Sequence, residues 1–259
     1  FKGVNAQICN VLELVHKNIL IPQKQTIKKL TTYAPSQAVD GIKKALFSIG
    51  GGTIGNYQEC SFISEGTATF KGNEHSNPVI GSKGVSQTTS EVMISMTFAK
   101  HLEKNIISAL HGAHPYEEVA FEITTLDNKN QHIGMGMIAE LENPMSEDAF
   151  LMYLKEKMNT DCIRHSKKTN KPIKKVAVLG GSGSFAINDA IAQGADVYVT
   201  SDLKYHDFYT AENKILLADI GHYESEQYTK ELLHTYLTKK ITSFAVVLSQ
   251  INTNPISYF

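Results

Sequence analysis

One segment, Asp219 to Glu226, holds the residues best suited to chemistry in this sequence. It comes after an apolar run and precedes a helical pattern, so it lies where a strand gives way to a helix. His222 and Glu226 are spaced i, i+4, which places both on one helical face. A neutral imidazole and a carboxylate are apt ligands for a divalent ion. Glu224 would point elsewhere. The alternative interpretation is a solvated acidic first turn favoured by the helix dipole.

A second candidate pair, Asp202 and His206, comes after the apolar run at 197–200. The two residues are four apart, so a helical segment would point both the same way. An acid and an imidazole together suit metal binding or proton transfer. A capping aspartate beside a surface histidine is the alternative.

A glycine-rich segment, Gly180-Gly181-Ser182-Gly183-Ser184, is predicted as a tight turn between a strand and a helix. Glycines let the backbone approach a ligand closely, and the N–H groups that begin a helix face an anion. The segment is neither a Walker A sequence nor GxGxxG, and a plain turn explains it as well. Gly181, Ser182 and Gly183 are therefore candidates for a substrate-facing loop.

The elements that must position these segments alternate regularly after residue 133. A strand at 135–141 and a helix capped by Ser146 come first. Apolar strands and helices then alternate, with strands at 176–179, 197–200, 215–220 and 244–248 and helices at 187–193, 205–212 and 224–238. Continuous apolar strands alternating with helices predict a mostly parallel sheet covered on both faces, which defines an α/β fold. Ligands bind such sheets just past the strand ends, where the three segments lie.

The preceding region, 26–126, has a different order. Strands at 26–34, 91–99 and 119–126, helices at 36–46 and 102–110, and a hairpin at 57–70 broken at Glu65-Gly66 are predicted from their periods. The order β-α-β-β-α-β is that of a ferredoxin-like α+β domain. An amphipathic helix over 1–17 and a linker containing Pro22 precede it. The run from His114 to Glu118 is explained by packing and turn formation as easily as by chemistry.

Composition excludes several classes of protein. The formal net charge is -1, and no apolar run approaches the roughly 20 residues that span a bilayer. Neither nucleic acid nor an anionic membrane is expected as a partner, because both call for a basic stripe. Cys9, Cys60 and Cys162 are far apart, which predicts reduced thiols in a cytoplasmic protein.

Together these motifs resemble the Nif-three-like family, whose bacterial members are called GTP cyclohydrolase 1 type 2 homologues. The resemblance is carried by Gly180–Gly183, Gly194–Asp202, His206, Asp219–Glu226 and the closing Asn252-Thr253-Asn254-Pro255. The middle region is similar to the PII- and CutA-like domain inserted in many bacterial members, and the matching segments are Gly55–Phe62, Asn77-Pro78 and His114–Glu118. The resemblance implies residues 1–24 as the end of an N-terminal α/β half, 25–132 as the insert and 133–259 as the C-terminal half.

The resemblance also implies a site for two divalent metal ions, with His222 and Glu226 as ligands. Histidine with carboxylate suits zinc, iron, manganese or nickel and does not distinguish among them. The family's other ligands lie in a His-His-Pro motif and a His-Thr-Asn-Leu-Asp motif, neither of which occurs in this sequence. Gly3-Val4-Asn5 resembles the residues that come shortly after the second motif in the family, and the chain opens abruptly at Phe1. We therefore expect residues upstream; a chain truncated here would not form the dinuclear site as the family does. The family further implies a homohexamer enclosing a cavity.

The favoured function is a metal-dependent hydrolase acting on a small nucleotide-like or phosphorylated substrate. His222 and Glu226 would hold the ions, His206 and Asp202 would support them or transfer protons, and the glycine turn would face the substrate. The alternative is a non-enzymatic regulatory or scaffold protein whose insert binds a ligand or partner. A third class, a nucleic-acid-binding ring, is disfavoured by the charge, although lysines cluster at 167–175.

Overall fold

The computed structural model describes residues 2–258, which form two compact units. Unit 1 comprises residues 2–22 and 131–258, and unit 2 comprises residues 23–130. The predicted boundaries after residues 24 and 132 each lie two residues beyond these divisions. Among the described residues, no helix has both the length and the apolar character required to cross a membrane.

Unit 1 is built on a six-stranded sheet in the order β1-β6-β8-β9-β10-β7. The strands are β1 (Val15–Pro22), β6 (Gly134–Met145), β7 (Arg164–His165), β8 (Ile173–Ser182), β9 (Val197–Ser201) and β10 (Leu216–Asp219). Only β8, β9 and β10 pair in parallel, and the other three pairings are antiparallel. The prediction of a mostly parallel sheet was therefore wrong, because β6 pairs antiparallel with β8 and because β1 and β7 add antiparallel edges that the apolar pattern does not show.

Helices cover both faces of this sheet, as predicted. They are α1 (Val4–Val11), α4 (Glu147–Lys157), α5 (Ile187–Ala192), α6 (His222–Glu226) and α7 (Thr229–Lys240). Val176 and Val178 of β8 join a core that includes α1 and α4, whereas Ala177 and Leu179 join a second core with α5. Burial on both faces explains why β8, β9 and β10 are continuous apolar runs.

Three predicted elements of unit 1 differ from the structure. The helix expected over 1–17 ends at Val11, and residues 15–22 instead form β1 beside β6. The helix expected over 224–238 is divided into α6 and α7. The strand expected at 244–248 was wrong, since no strand forms among residues 242–258. The predicted Ser146 cap of α4 is confirmed, since its hydroxyl accepts a hydrogen bond from the Ala149 N–H at 3.3 Å.

Unit 2 is an antiparallel four-stranded sheet in the order β3-β4-β2-β5. Its elements are β2 (Ile27–Ala34), α2 (Val39–Ser48), β3 (Phe62–Lys71), β4 (Ser86–Ala99), α3 (Glu103–Ala113) and β5 (Phe121–Leu126). This chain order is the predicted β-α-β-β-α-β. The predicted hairpin was wrong, because β3 continues through Gly66, which pairs with Glu91 of β4. Both helices pack on one sheet face around Leu30 and Ile94.

The three free cysteines differ sharply in environment, which predicts their reactivity. Burial raises the pKa of Cys9 to about 12, whereas Cys162 is exposed. Because the thiolate is the reactive form, we expect iodoacetamide at pH 8 to modify Cys162 and to leave Cys9 intact until the chain is unfolded. Raising the pH to 9.5 should still leave Cys9 unmodified in the folded chain, because its pKa lies near 12. Peptide mass spectrometry measures both rates, and comparable native rates would contradict the prediction.

Candidate functional site

The site lies where β10 passes into α6. β10 ends at Asp219, and Gly221 adopts φ +90° immediately before the first residue of α6. A Cβ on Gly221 would lie 2.2 Å from Glu224 Oε2, so glycine is required both by the backbone and by the space. The sharp turn at Gly221 begins the helix at His222, so that one turn carries both His222 and Glu226.

His222 is the centre of the site. Its Nδ1 lies 2.6 Å from Asp202 Oδ2, and its Nε2 lies 3.6 Å from Glu226 Oε2. The three side chains are each about half exposed, at 50%, 46% and 45% for His222, Asp202 and Glu226. The structure thus brings together one imidazole and two carboxylates at a surface that a small molecule can reach.

Asp202 reaches His222 from a backbone conformation unusual for a residue with a side chain. It lies just after β9 and has φ +58°. Aspartate and asparagine are among the few residues that tolerate this left-handed region, and such strain gathers at functional sites. The helix that the sequence suggested for this pair begins only at Tyr205, so Asp202 and His206 do not share a helical face.

The structure places His206 apart from these residues. His206 is exposed on the 3-10 helix Tyr205–Ala211, and its ring contacts those of Tyr205 and Tyr209 at centroid distances of 5.2 and 6.4 Å. Within residues 2–258 no hydrogen bond or ion pair joins His206 to Asp202, His222 or Glu226.

The electrostatics of the site favour a charged imidazole. The hydrogen bond with Asp202 raises the pKa of His222 above its ordinary value. Partial burial opposes this shift, while the negative charges of Asp202 and Glu226 add to it. Two carboxylates beside one imidazole therefore favour a positive charge at this site, whether a proton or a cation supplies it.

Gly181 is the glycine of the candidate loop that lies against the site. It has φ +76°, and a Cβ there would lie 2.8 Å from Glu226 Oε1 and 3.6 Å from His222 Cε1. Its N–H donates to Ser225 Oγ at 2.8 Å, and its carbonyl accepts from the Thr200 hydroxyl at 3.1 Å. The absence of a side chain at Gly181 leaves the room that the Glu226 carboxylate occupies.

The other two loop candidates have different surroundings. Ser182 is exposed and pairs with Ser201 of β9, since β8 continues to Ser182 instead of turning after Leu179 as predicted. Gly183 faces inward, where a Cβ would lie 2.1 Å from Thr200 Oγ1 and 2.4 Å from the Tyr198 hydroxyl. Packing against Thr200 and Tyr198 therefore leaves no room for a side chain at Gly183. Ser182 is the residue of the loop that is open to solvent.

Several residues that hold the site together were missed by the sequence interpretation. Ser225 is 2% exposed, and its hydroxyl donates to the His222 carbonyl at 2.8 Å while accepting from Gly181. Asn5 of α1 accepts the Gly180 N–H at 2.8 Å, which joins α1 to the end of β8. Serine and asparagine within a helix carry no distinctive signal.

The remaining acidic residues of the segment have structural partners. Asp219 is 4% exposed and accepts hydrogen bonds from Arg164, the Leu203 N–H and the Gly221 N–H. Glu224 points away from His222, as expected, and its Oε1 accepts from Asn254 Nδ2 at 2.9 Å. Asp219 therefore fixes the two loops that present Asp202 and His222, whereas Glu224 holds Asn254 of the C-terminal segment.

The chemistry of His222 and Glu226 suits a divalent ion, but the two residues alone are fewer than the ligands a metal site usually has. Metal-binding histidines commonly donate one ring N–H to a carboxylate, and Asp202 supplies that partner for His222 Nδ1. The opposite nitrogen and Glu226 are the available ligands. Residues 2–258 contain no cluster of three or more His, Cys, Asp or Glu side chains placed to hold a metal. His222 and Glu226 are therefore a pair of candidate ligands, with Asp202 supporting the histidine.

This protein is an α/β protein with an α+β unit within its chain. Its mixed sheet carries a histidine-carboxylate pair just past the ends of the parallel strands. The model of the Duf34/NIF3 (NGG1p interacting factor 3) family matches residues 1–255. The chain belongs to this family.

Individual relatives agree with this assignment. The chain is 35% identical over 269 residues to the Bacillus subtilis protein named GTP cyclohydrolase 1 type 2 homolog, covering 99% of this chain and 70% of that protein. It matches the crystal structure of a Bacillus cereus protein related to NIF3 with a TM-score of 0.84 and 33% identity, over 100% of this chain and 70% of the other. It matches the crystal structure of the Staphylococcus aureus protein SA1388 with a TM-score of 0.72 and 31% identity, over 100% of this chain and 69% of the other.

Proposed function

We propose that this protein is a divalent-metal-dependent hydrolase acting on a small nucleotide-like or phosphorylated substrate. The observation that carries the proposal is the arrangement of His222, with Nδ1 held by Asp202 at 2.6 Å and Nε2 turned toward Glu226 at 3.6 Å. This arrangement presents one ring nitrogen and one carboxylate to a common point. The names of relatives, GTP cyclohydrolase 1 type 2 homolog, support a nucleotide as the substrate class.

Each residue has a separate task in this proposal. Asp202 holds the proton on His222 Nδ1, so the lone pair on Nε2 is free for the ion. Glu226 supplies the second ligand and offsets the positive charge. Gly181 leaves the space that Glu226 requires. When bound, two such ions lower the pKa of a water and stabilise an anionic transition state. Ser182, exposed beside Gly181, contacts the substrate.

We also infer that unit 2 is an inserted domain of the PII and CutA type. The inference is supported by its chain order β-α-β-β-α-β and by its sheet order, in which β4 lies between β3 and β2. The surroundings of His114 indicate a structural role for the segment His114–Glu118. Its ring is buried, Nε2 lies 2.9 Å from the Tyr33 carbonyl, and Nδ1 accepts the Tyr116 N–H at 3.1 Å.

Metal stoichiometry tests the proposed function. Elemental mass spectrometry on the untagged, full-length protein should find about two ions per chain and should find them lost from the His222→Ala/Glu226→Ala variant. A matched control is His75→Ala/Glu74→Ala, which removes the same residue types from exposed positions in unit 2. The identified metal then enters a hydrolysis screen with GTP and phosphoesters. Metal retained by the first variant, or metal without turnover, would reject the hydrolase and favour a regulatory protein.

A further inference from the structure

A cavity of about 610 Å³ opens in unit 2, separate from the residues of the metal-ligand pair. Its walls come from the end of β3, the adjoining segment 72–80, and residues 116–120 before β5, together with Tyr33 and Glu91. The volume lies within the range of sites that hold small organic molecules. We call it the unit 2 cavity.

Glu91 is the most informative residue of the unit 2 cavity. It is 7% exposed, and its Oε1 accepts a hydrogen bond from the Tyr116 hydroxyl at 2.7 Å. Within residues 2–258 no hydrogen bond or ion pair reaches its Oε2. Its Oε2 retains contact with solvent and is therefore available to a ligand that brings positive charge or a hydrogen-bond donor.

The rest of the lining adds negative charge and aromatic surface. Glu117 and Glu118 line the cavity as well, against a single lysine, Lys71. In the described part of the chain Lys71 forms no ion pair with any of these carboxylates. The Asn77 N–H donates to Glu117 Oε1 at 2.6 Å, which ties segment 72–80 to residues 116–120. The cavity therefore has an acidic lining with one wall fixed in place.

The spacing of the carboxylates distinguishes an organic cation from a metal ion. They belong to no group of three or more ligating side chains close enough to hold an ion, among residues 2–258. The lining also includes the apolar side chains of Phe70, Val79 and Ile80. Tyrosine rings attract ammonium groups through their π faces, and Tyr33 and Tyr116 supply two such rings.

We propose that the unit 2 cavity binds a small aliphatic amine whose ammonium group pairs with Glu91 beside Tyr116. The methylene stem lies along Phe70 and Val79, and a second ammonium, where present, reaches Glu118. Desolvation of the stem and pairing of the buried carboxylate favour binding together. The unit would then act as a receptor for an alkyl diamine or polyamine, independently of the metal-ligand pair.

Calorimetric titration of the whole protein with matched five-carbon probes tests this proposal. Cadaverine should bind, whereas 1,5-pentanediol, which lacks the charge, and glutarate, which reverses it, should not. Glu91→Gln should weaken cadaverine binding about tenfold or more, the order expected when one charged hydrogen bond is lost. Glu65→Gln, the same change at an exposed residue of β3 outside the lining, should have no effect.

Two further measurements keep the result decisive. Glu118→Gln changes an exposed lining residue and should weaken binding several-fold even if Glu91→Gln disturbs folding. The His222→Ala/Glu226→Ala variant should bind cadaverine as the unaltered chain does, which separates this proposal from the hydrolase. Equal binding of the diol, tighter binding of glutarate, displacement of cadaverine by Mg²⁺, or full affinity in both glutamate variants would each overturn the proposal.

Discussion

Replacing Asp202 by asparagine should lower the affinity for divalent metal by about 10- to 100-fold, the range typical of carboxylates that support a histidine ligand. Asparagine tolerates the φ of +58° at this position, so the backbone is expected to remain in place. The amide has no negative charge, and its NH₂ group donates to Nδ1 and leaves the proton on Nε2. His222 would then present its N–H to the metal instead of its lone pair.

A competition titration with a chromogenic zinc chelator measures this affinity. Nitrogen NMR of the imidazole reports the tautomer of His222, which a purely structural role for Asp202 would not change. Asp161→Asn is a suitable control because Asp161 is exposed and lies outside the site. Unchanged zinc affinity and an unchanged tautomer in Asp202→Asn would show that Asp202 does not orient His222.

Asp219→Ala should produce the largest loss of stability among changes near the site. The carboxylate is 4% exposed and accepts from the N–H groups of Leu203 and Gly221 as well as from Arg164. Each buried donor left without a partner costs about 1–3 kcal/mol. Arg164 is largely exposed and regains water, so it adds little. We therefore expect a loss of roughly 2–4 kcal/mol in the free energy of unfolding.

Urea unfolding monitored by circular dichroism measures this loss as a lower midpoint at an unchanged slope. Asp189→Ala, at an exposed residue of α5, is the control and should change the free energy of unfolding by less than about 0.5 kcal/mol. Asp219→Asn keeps one acceptor oxygen and should fall between the two. A midpoint for Asp219→Ala equal to that of Asp189→Ala would contradict the role assigned to Asp219.

The parts of the site that lie within one element could be predicted from the sequence. The i, i+4 spacing of His222 and Glu226 places them together because both lie on one helical turn. The apolar runs of β8, β9 and β10 likewise predicted buried strands, because both sheet faces are covered. These are local periodicities, which depend on residues close in sequence and not on tertiary contacts.

The parts that depend on tertiary contacts could not be predicted in this way. Asp202 is 20 residues from His222 and reaches it because β9 and β10 are parallel neighbours whose ends meet at one edge. The sequence instead suggested a helical partnership of Asp202 with His206, which the left-handed turn at Asp202 prevents. The strand β1 was also missed, since its partner β6 lies beyond the whole of unit 2.

The pairing of β1 with β6 has a consequence for how the chain folds. Pro22 lies opposite Gly134, so the two strands form an antiparallel pair whose connecting loop is unit 2. An unfolded loop of that length imposes an entropic cost on closure that a two-residue turn does not. Once unit 2 has folded, the Asn130 N–H donates to the Gln23 carbonyl at 2.9 Å and brings the loop ends together. We therefore expect unit 2 to fold first, and its folding to serve as the nucleation event that allows strand β1 to join the sheet of unit 1.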